Sequence, residues 1–181
     1  MKNNIDVEIC TFSLESCLNA QLAGASRVEL CSGMYDGGTT PSAAMIRMAR
    51  EKLSIQLYVM IRPRGGDFLY SDLEFEMMKE DIRFAKACRA DGVVLGILNA
   101  DGSVDVRRTR ELVEWAAPLK VTFHRAIDMT RDMEEALEGI IEAGCYRVLT
   151  SGGRNTVNEG MERIKALVKQ AGGRVQIMAG S

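Results

Sequence analysis

Two short stretches carry most of the sulfur and carboxylate chemistry of this chain, Val7-Glu8-Ile9-Cys10 and Val28-Glu29-Leu30-Cys31. In an extended strand, successive side chains point to opposite faces. Asp6, Glu8 and Cys10 therefore share one face, as do Arg27, Glu29 and Cys31, while Val7, Ile9, Val28 and Leu30 share the other. Neighbouring strands lie about 4.8 Å apart, so Cys10 and Cys31 approach one another if the two stretches pair. Two thiolates with thioethers nearby are soft ligands suited to Cu(I) and ill suited to magnesium or calcium. Zinc wants a tetrahedral set, and no C-x-x-C spacing is present. The plainer alternative is a pair of small core residues, because free cysteine is among the most buried residue types. Glu8 and Glu29 beside them are expected to raise the thiol pKa values and oppose thiolate formation. Cys17, Cys88 and Cys145 fall on predicted helices or in a joint and show no such pairing.

His124 is the one histidine, and it stands beside Arg125 at a predicted strand end. Tuned by Glu8 and Glu29, it is a candidate general acid or base, and these three form the candidate catalytic set. With Arg62 and Arg125 near, the same groups suit an anion; a structural Glu–Arg and Glu–His network is the alternative. Two glycine-rich loops follow predicted strands, Arg62-Pro63-Arg64-Gly65-Gly66-Asp67-Phe68 and Thr150-Ser151-Gly152-Gly153-Arg154. Backbone amides in such loops cradle phosphate where a helix begins, which makes Ser151 and Gly152 candidate ligand-binding residues with Arg62 and Arg125. Neither loop matches the P-loop or dinucleotide fingerprint, and tight turns alone account for the glycines.

These residues need a scaffold that brings strand ends together. Strands are predicted at Ile5–Cys10, Arg27–Cys31, Gln56–Arg62, Gly92–Ile97, Lys120–His124, Arg147–Thr150 and Arg174–Met178. Helices are predicted to start near Ser13, Thr40, Ser71, Asp105, Asp132 and Thr156. Thr156 with Glu159, Asp132 with Glu135 and Ser71 with Glu74 have capping-box spacing, and Thr40-Pro41 places a cap before a first-turn proline. Phe75, Met78, Ile82 and Ala85 form one apolar stripe; Val157, Met161, Ile164, Leu167 and Val168 form another. The helix-to-strand joint Ala23-Gly24-Ala25-Ser26-Arg27-Val28 recurs as Ala143-Gly144-Cys145-Tyr146-Arg147-Val148, with glycine placed to close each helix.

Alternating β and α with right-handed crossovers gives a parallel sheet. Polar residues recurring on one strand face favour an α/β (β/α)8 TIM-type barrel over an open sheet buried on both faces. In that fold the strand C-termini form the active rim. Seven strands are visible where eight are wanted, so residues 1–181 are expected to form a single barrel domain with the C-terminal strand and helix missing. An open seam beside the first strand would expose apolar surface and favour self-association into a homo-oligomer.

Composition narrows the functions. The 181 residues are 46% hydrophobic and 27% charged, with a net charge of -2, so neither nucleic acid nor an anionic membrane is an expected partner. No apolar run is long enough to span a bilayer, and Met1-Lys2-Asn3-Asn4 leads into a strand rather than a signal peptide. Five cysteines, an odd number beside an adequate core, argue for free thiols in a reducing cytoplasm.

Several long motifs then carry a family resemblance: Val28-Glu-Leu-Cys-Ser-Gly33, Asp36-Gly-Gly-Thr-Thr-Pro-Ser42, Val59-Met-Ile-Arg-Pro-Arg-Gly-Gly-Asp-Phe68, Val121-Thr-Phe-His-Arg-Ala126 with Asp128, and Arg147-Val-Leu-Thr-Ser-Gly152. In this order they resemble the CutC copper homeostasis family. The resemblance implies a cytoplasmic TIM-type barrel and a role in copper tolerance or Cu(I) binding, with Cys10 and Cys31 at the positions proposed for copper. It implies no settled reaction. The competing expectation is a barrel enzyme acting on a small anionic or phosphorylated metabolite through Arg62, Arg125, His124 and the glutamates.

Overall fold

A computed structural model describes residues 5–181; the expectation that Met1 to Asn4 lead into a strand lies outside them. Seven strands and six α-helices alternate among the described residues. They are β1 (Glu8–Thr11), α1 (Leu14–Leu22), β2 (Arg27–Leu30), α2 (Ala43–Lys52), β3 (Gln56–Met60), α3 (Asp72–Ala87), β4 (Gly92–Leu95), α4 (Val106–Ala116), β5 (Lys120–Phe123), α5 (Met133–Glu142), β6 (Arg147–Thr150), α6 (Val157–Ala171) and β7 (Gln176–Ala179). The strands follow in chain order, β1-β2-β3-β4-β5-β6-β7. This is the α/β succession of the TIM-type class. No helix among the described residues is long and apolar enough to cross a membrane.

Two compact units divide the chain. One runs to Gly66 and takes in Met77–Val94; the other comprises Asp67–Glu76 and Leu95–Ser181.

In the first unit β1, β2, β3 and β4 pair in parallel, with Glu8 opposite Arg27, Cys10 opposite Glu29, and Glu29 opposite Tyr58. Opposite residues of a parallel pair face the same way, so this register gathers the acid-and-sulfur positions on one face. Val28 and Leu30, on the other face, are fully buried. Val7 and Ile9 share that second face but remain 46% and 40% exposed on the edge strand.

In the second unit β5, β6 and β7 pair in parallel, with Thr122 opposite Arg147 and Arg147 opposite Gln176. The repeated joint gives a repeated structure. Gly24 and Gly144 take φ of +87° and +85°. The amides of Ala25 and Cys145 then bond back to Ala20 and Ile140, and the chain enters a strand in both places. Left-handed backbone at these positions suits glycine because it has no Cβ.

Helix starts follow their caps with one displacement. Ser13, Asp105, Asp132 and Thr156 cap α1, α4, α5 and α6 as expected, and Ser71 with Glu74 forms the reciprocal pair that opens α3. At α2 the cap is Ser42, whose hydroxyl accepts from Met45 N. Thr40 is diverted: its hydroxyl accepts from Arg62 N and its amide donates to Arg62 O. The α3 stripe of Phe75, Met78, Ile82 and Ala85 is buried throughout. On α6 the covered face runs instead through Gly160, Leu167 and Ala171, leaving Met161 and Val168 exposed. Gly160 packs so tightly that a Cβ there would lie 1.8 Å from Ser151 O, which rotates the buried face toward that contact.

Candidate functional site

The register of β1 and β2 builds the first cluster. Cys10 sits near the end of β1, and Cys31 lies one residue past β2, where its amide donates to Thr11 O. Their sulfurs are 3.7 Å apart. Cys10 is exposed and Cys31 buried, so the pair is open on one side. One ligand atom each from Cys10, Glu29 and Cys31 falls within 4.8 Å of the others. Tyr58, Met60 and Val94 pack around Cys31, with Phe12 against them. A Cβ at Gly38 would stand 3.3 Å from Cys31 Sγ, a tight contact, and 3.5 Å from Met60 Cε, an ordinary one. It is the φ of +96° that favours glycine here.

The two thiols are not equivalent. The Cys31 thiol donates to Cys10, and this, with the Glu29 carboxyl beside it, lowers Cys10 to about 7 despite burial. Cys31 is pushed up by that same bond, by desolvation and by the Glu29 charge. Both thiols were expected to rise. Cys10 falls because the Cys31 S–H and the Glu29 carboxyl stabilise its anion by more than burial and the Glu8 charge oppose it. Glu29 is 5% exposed; desolvation first, then the charges of Cys10 and Glu8, raise its carboxyl well above the ordinary value. Cys10 thus gives up its proton more readily than an ordinary thiol, while Glu29 and Cys31 hold theirs more tightly than an ordinary carboxyl and thiol do.

Glu8 belongs to a different interaction. Its carboxylate accepts from Arg27 Nε at 2.6 Å, with both side chains 7% exposed. The register that places Glu8 opposite Arg27 produces this ion pair.

Arg62 closes the loop after β2. Its guanidinium donates to the carbonyls of Asp36 at 2.6 Å, Gly38 at 2.9 Å and Gly66 at 2.8 Å. It ties together the two glycine-containing segments of the first unit, including the one against Cys31.

The second unit holds the other predicted residues. His124 is 4% exposed, and its Nδ1 accepts from Ala126 N at 3.2 Å. Its ring lies 4.9 Å from Phe68 and 6.0 Å from Phe123. A Cβ on Gly96 would sit 2.6 Å from the imidazole. Gly96 is thus a positioning residue that the sequence reading passed over; a glycine inside a strand-like run was its signal.

Around the loop after β6 the centre is Asp128. Its carboxylate accepts from the Thr150 hydroxyl, from the Ser151 amide at 3.1 Å and hydroxyl at 3.0 Å, from the Gly153 amide at 3.0 Å and from Arg125 Nε at 2.9 Å. The Gly152 amide donates to Thr150 Oγ1 at 2.8 Å. The amides proposed to cradle an external anion are therefore engaged within the chain, those of Ser151 and Gly153 by the Asp128 carboxylate and that of Gly152 by the Thr150 hydroxyl. Burial pushes the Asp128 carboxyl up, but the bonds from Thr150, Arg125 and the two amides prevail and hold it below the usual range. A cleft of about 610 Å³ opens beside this loop, lined in part by Arg131, Arg154 and Arg163. Arg131 is already paired with Asp101 and Glu135, and Arg163 with Glu134.

With both clusters described, the comparisons with known proteins decide the lineage. The CutC family model matches residues 5–181. The chain belongs to the CutC family. A CutC family protein of Chromobacterium violaceum is 53% identical over 175 residues, covering 97% of this chain and 71% of that protein. The human copper homeostasis protein cutC homolog is 49% identical over 178 residues, covering 98% of this chain and 65% of its own length. The CutC crystal structure from Streptococcus agalactiae superposes with a TM-score of 0.92 at 38% identity, covering 97% of this chain and 87% of that one. An aldolase, QR15, aligns with a TM-score of 0.72 at 17% identity over 98% of this chain and 80% of its own, and that likeness concerns the fold alone. This CutC chain thus has the TIM-type α/β fold expected from its βα repeats.

Proposed function

We propose that this CutC chain acts in copper homeostasis by binding Cu(I) between Cys10 and Cys31. The observation that carries the reading is the 3.7 Å separation of the two sulfurs on one face of neighbouring strands. The donor set fits the cargo: thiolates select soft ions, and Cu(I) is the soft ion for which paired sulfurs are best suited. Cys10 is accessible and close to ionisation at neutral pH, so it supplies the first sulfur without much proton loss. Cys31 lies deeper and must release its proton as the ion settles. Arg62 holds the Gly38 segment against Cys31 and so shapes the closed side of the pocket. The mouse and human relatives, both called copper homeostasis protein cutC homolog, point the same way. All five cysteines are free, a state that a reducing cytoplasm maintains.

Anaerobic titration with Cu(I) tests this. The parent is expected to take close to one equivalent, and the Cys10→Ser/Cys31→Ser double variant to take none at the same competitor strength. A double variant that binds Cu(I) as the parent does ends the proposal. The enzyme reading draws less support, because Arg62, Arg125 and the amides of Ser151, Gly152 and Gly153 are all engaged within the chain.

A further inference from the structure

Glu29 presents an anomaly that copper binding by two thiols leaves unexplained. The residue is 5% exposed, and its Oε1 is buried without a hydrogen-bond partner. Burying a carboxyl oxygen unsatisfied is costly, and native structures rarely do so without a ligand or ion to receive it. Here the carboxyl shares its small space with the sulfurs of Cys10 and Cys31.

We propose that Glu29 is a third ligand of this site, and that with it the Cys10–Cys31 pair also holds a zinc-like divalent cation. The inference rests on the thiol pair being a metal site at all, and adds to it the oxygen donor and the second class of ion. Two sulfurs 3.7 Å apart, each about 2.3 Å from a shared ion, subtend an angle of roughly 107° at it. That angle is near tetrahedral. A linear two-sulfur arrangement with the same bonds would need the sulfurs about 4.6 Å apart. The spacing therefore leaves coordination positions for other donors, and the Glu29 carboxyl stands where one is needed. Sulfur, sulfur and carboxylate together form a donor set that zinc accepts, whereas carboxylate adds little for Cu(I). Charge favours the same ion. Binding releases the protons of Cys31 and Glu29; the two thiolates and the carboxylate then carry three negative charges, and a dication neutralises more of that buried charge than a monocation does. The exposed side of Cys10 leaves a fourth position for water.

The experiment titrates the full chain with Zn(II) and, separately, with Cu(I) under reducing anaerobic conditions, each against a chromophoric competitor. The parent, Glu29→Gln and Cys10→Ser/Cys31→Ser are compared, and Co(II) serves as a spectroscopic stand-in for zinc. The parent is expected to bind one Zn(II), and its Co(II) form to show sulfur-to-metal charge transfer with the intense visible bands of a four-coordinate ion. Glu29→Gln, which keeps the volume of the neutral carboxyl, is expected to weaken Zn(II) at least tenfold while Cu(I) affinity moves less than threefold. A parent that binds Cu(I) but not Zn(II), a Glu29→Gln variant that holds zinc as the parent does, or an equal loss of both ions overturns the proposal while leaving the copper reading in place. Retention of Cu(I) by the double cysteine variant instead overturns the underlying thiol site. If Glu29→Gln does not fold by circular dichroism, the parent's Co(II) spectrum decides alone: bands of a six-coordinate ion without charge transfer refute the inference.

Discussion

The register partner of Cys10 is Glu29, yet its sulfur reaches to within 3.7 Å of the sulfur of Cys31, two positions further on and one residue past β2. This diagonal approach makes the thiols unequal, since one must donate to the other. Cys31, the more buried, is raised; Cys10 is lowered to about 7.

The first consequence is selective reactivity. Because the thiolate is the nucleophile, alkylation at pH 7 is expected to mark Cys10 before Cys17, Cys88 or Cys145, each of which is raised by burial. The rate should rise with a midpoint at about pH 7. In Cys31→Ala the donor is gone, so the midpoint should move up toward an ordinary thiol and the rate at pH 7 should drop severalfold. Peptide mass spectrometry after timed alkylation measures this. An unchanged midpoint in Cys31→Ala would show that the sulfur–sulfur bond is not the cause.

Glu29 gives a prediction of opposite sign. Its folded carboxyl titrates well above 4.5, the value it takes when unfolded. Above that value the unfolded chain releases a proton that the folded chain retains. Stability therefore falls as pH rises toward the folded pKa, by at most about 1.4 kcal/mol per pH unit. Glutamine titrates in neither state, so Glu29→Gln should lack this fall and gain on the parent across the range from pH 4.5 up to the folded pKa. Urea midpoints across that range check it; parallel curves would mean that Glu29 is ionised in the fold.

The contrast between these residues shows where the sequence is readable. The cysteine pair was visible because a period of two and a repeated stretch fix which side chains share a face. Helix starts at Ser13, Asp105, Asp132 and Thr156 were visible because capping is local. Thr40 misled because its hydroxyl is taken by Arg62, 22 residues away. The occupant of the 150–154 loop was hidden for the same reason. Asp128 lies on a short 3-10 turn after β5 and meets that loop only in space. The lowering of Cys10 was likewise unreadable, because charge signs near a thiol can be counted along a chain but the direction of an S–H bond cannot.

Arg62 should be worth more to the fold than a surface arginine. It is buried and donates to three carbonyls, those of Asp36, Gly38 and Gly66. Arg62→Ala leaves those oxygens without this donor, so a loss of about 2–4 kcal/mol is expected from denaturant unfolding. Amide exchange at residues 33–38 should accelerate by more than at β3. A variant within 0.5 kcal/mol of the parent would show that the loops hold without the clamp.

Asp128 supplies the last prediction, because it stands where an anion would. In Asp128→Ala the Ser151 and Gly153 amides, the Thr150 hydroxyl and Arg125 lose a shared acceptor. A destabilisation of about 3 kcal/mol is expected, chiefly from the buried Thr150 and Ser151 donors left unpaired. The vacated space retains donors aimed at a carboxylate, so millimolar formate or acetate should raise the melting temperature of Asp128→Ala and leave that of the parent unmoved. The pH dependence follows from the same bonds. The Asp128 carboxyl titrates below its ordinary 3.8, so its contribution is present at neutral pH and is lost only as pH falls from that value through the folded one. Asp128→Asn, which keeps the shape but not the charge, should forfeit much of it at every pH and show a flatter acid limb. A parent that responds to formate as strongly as Asp128→Ala would mean that the loop binds anions with Asp128 in place, and would return the cleft to consideration as a ligand site.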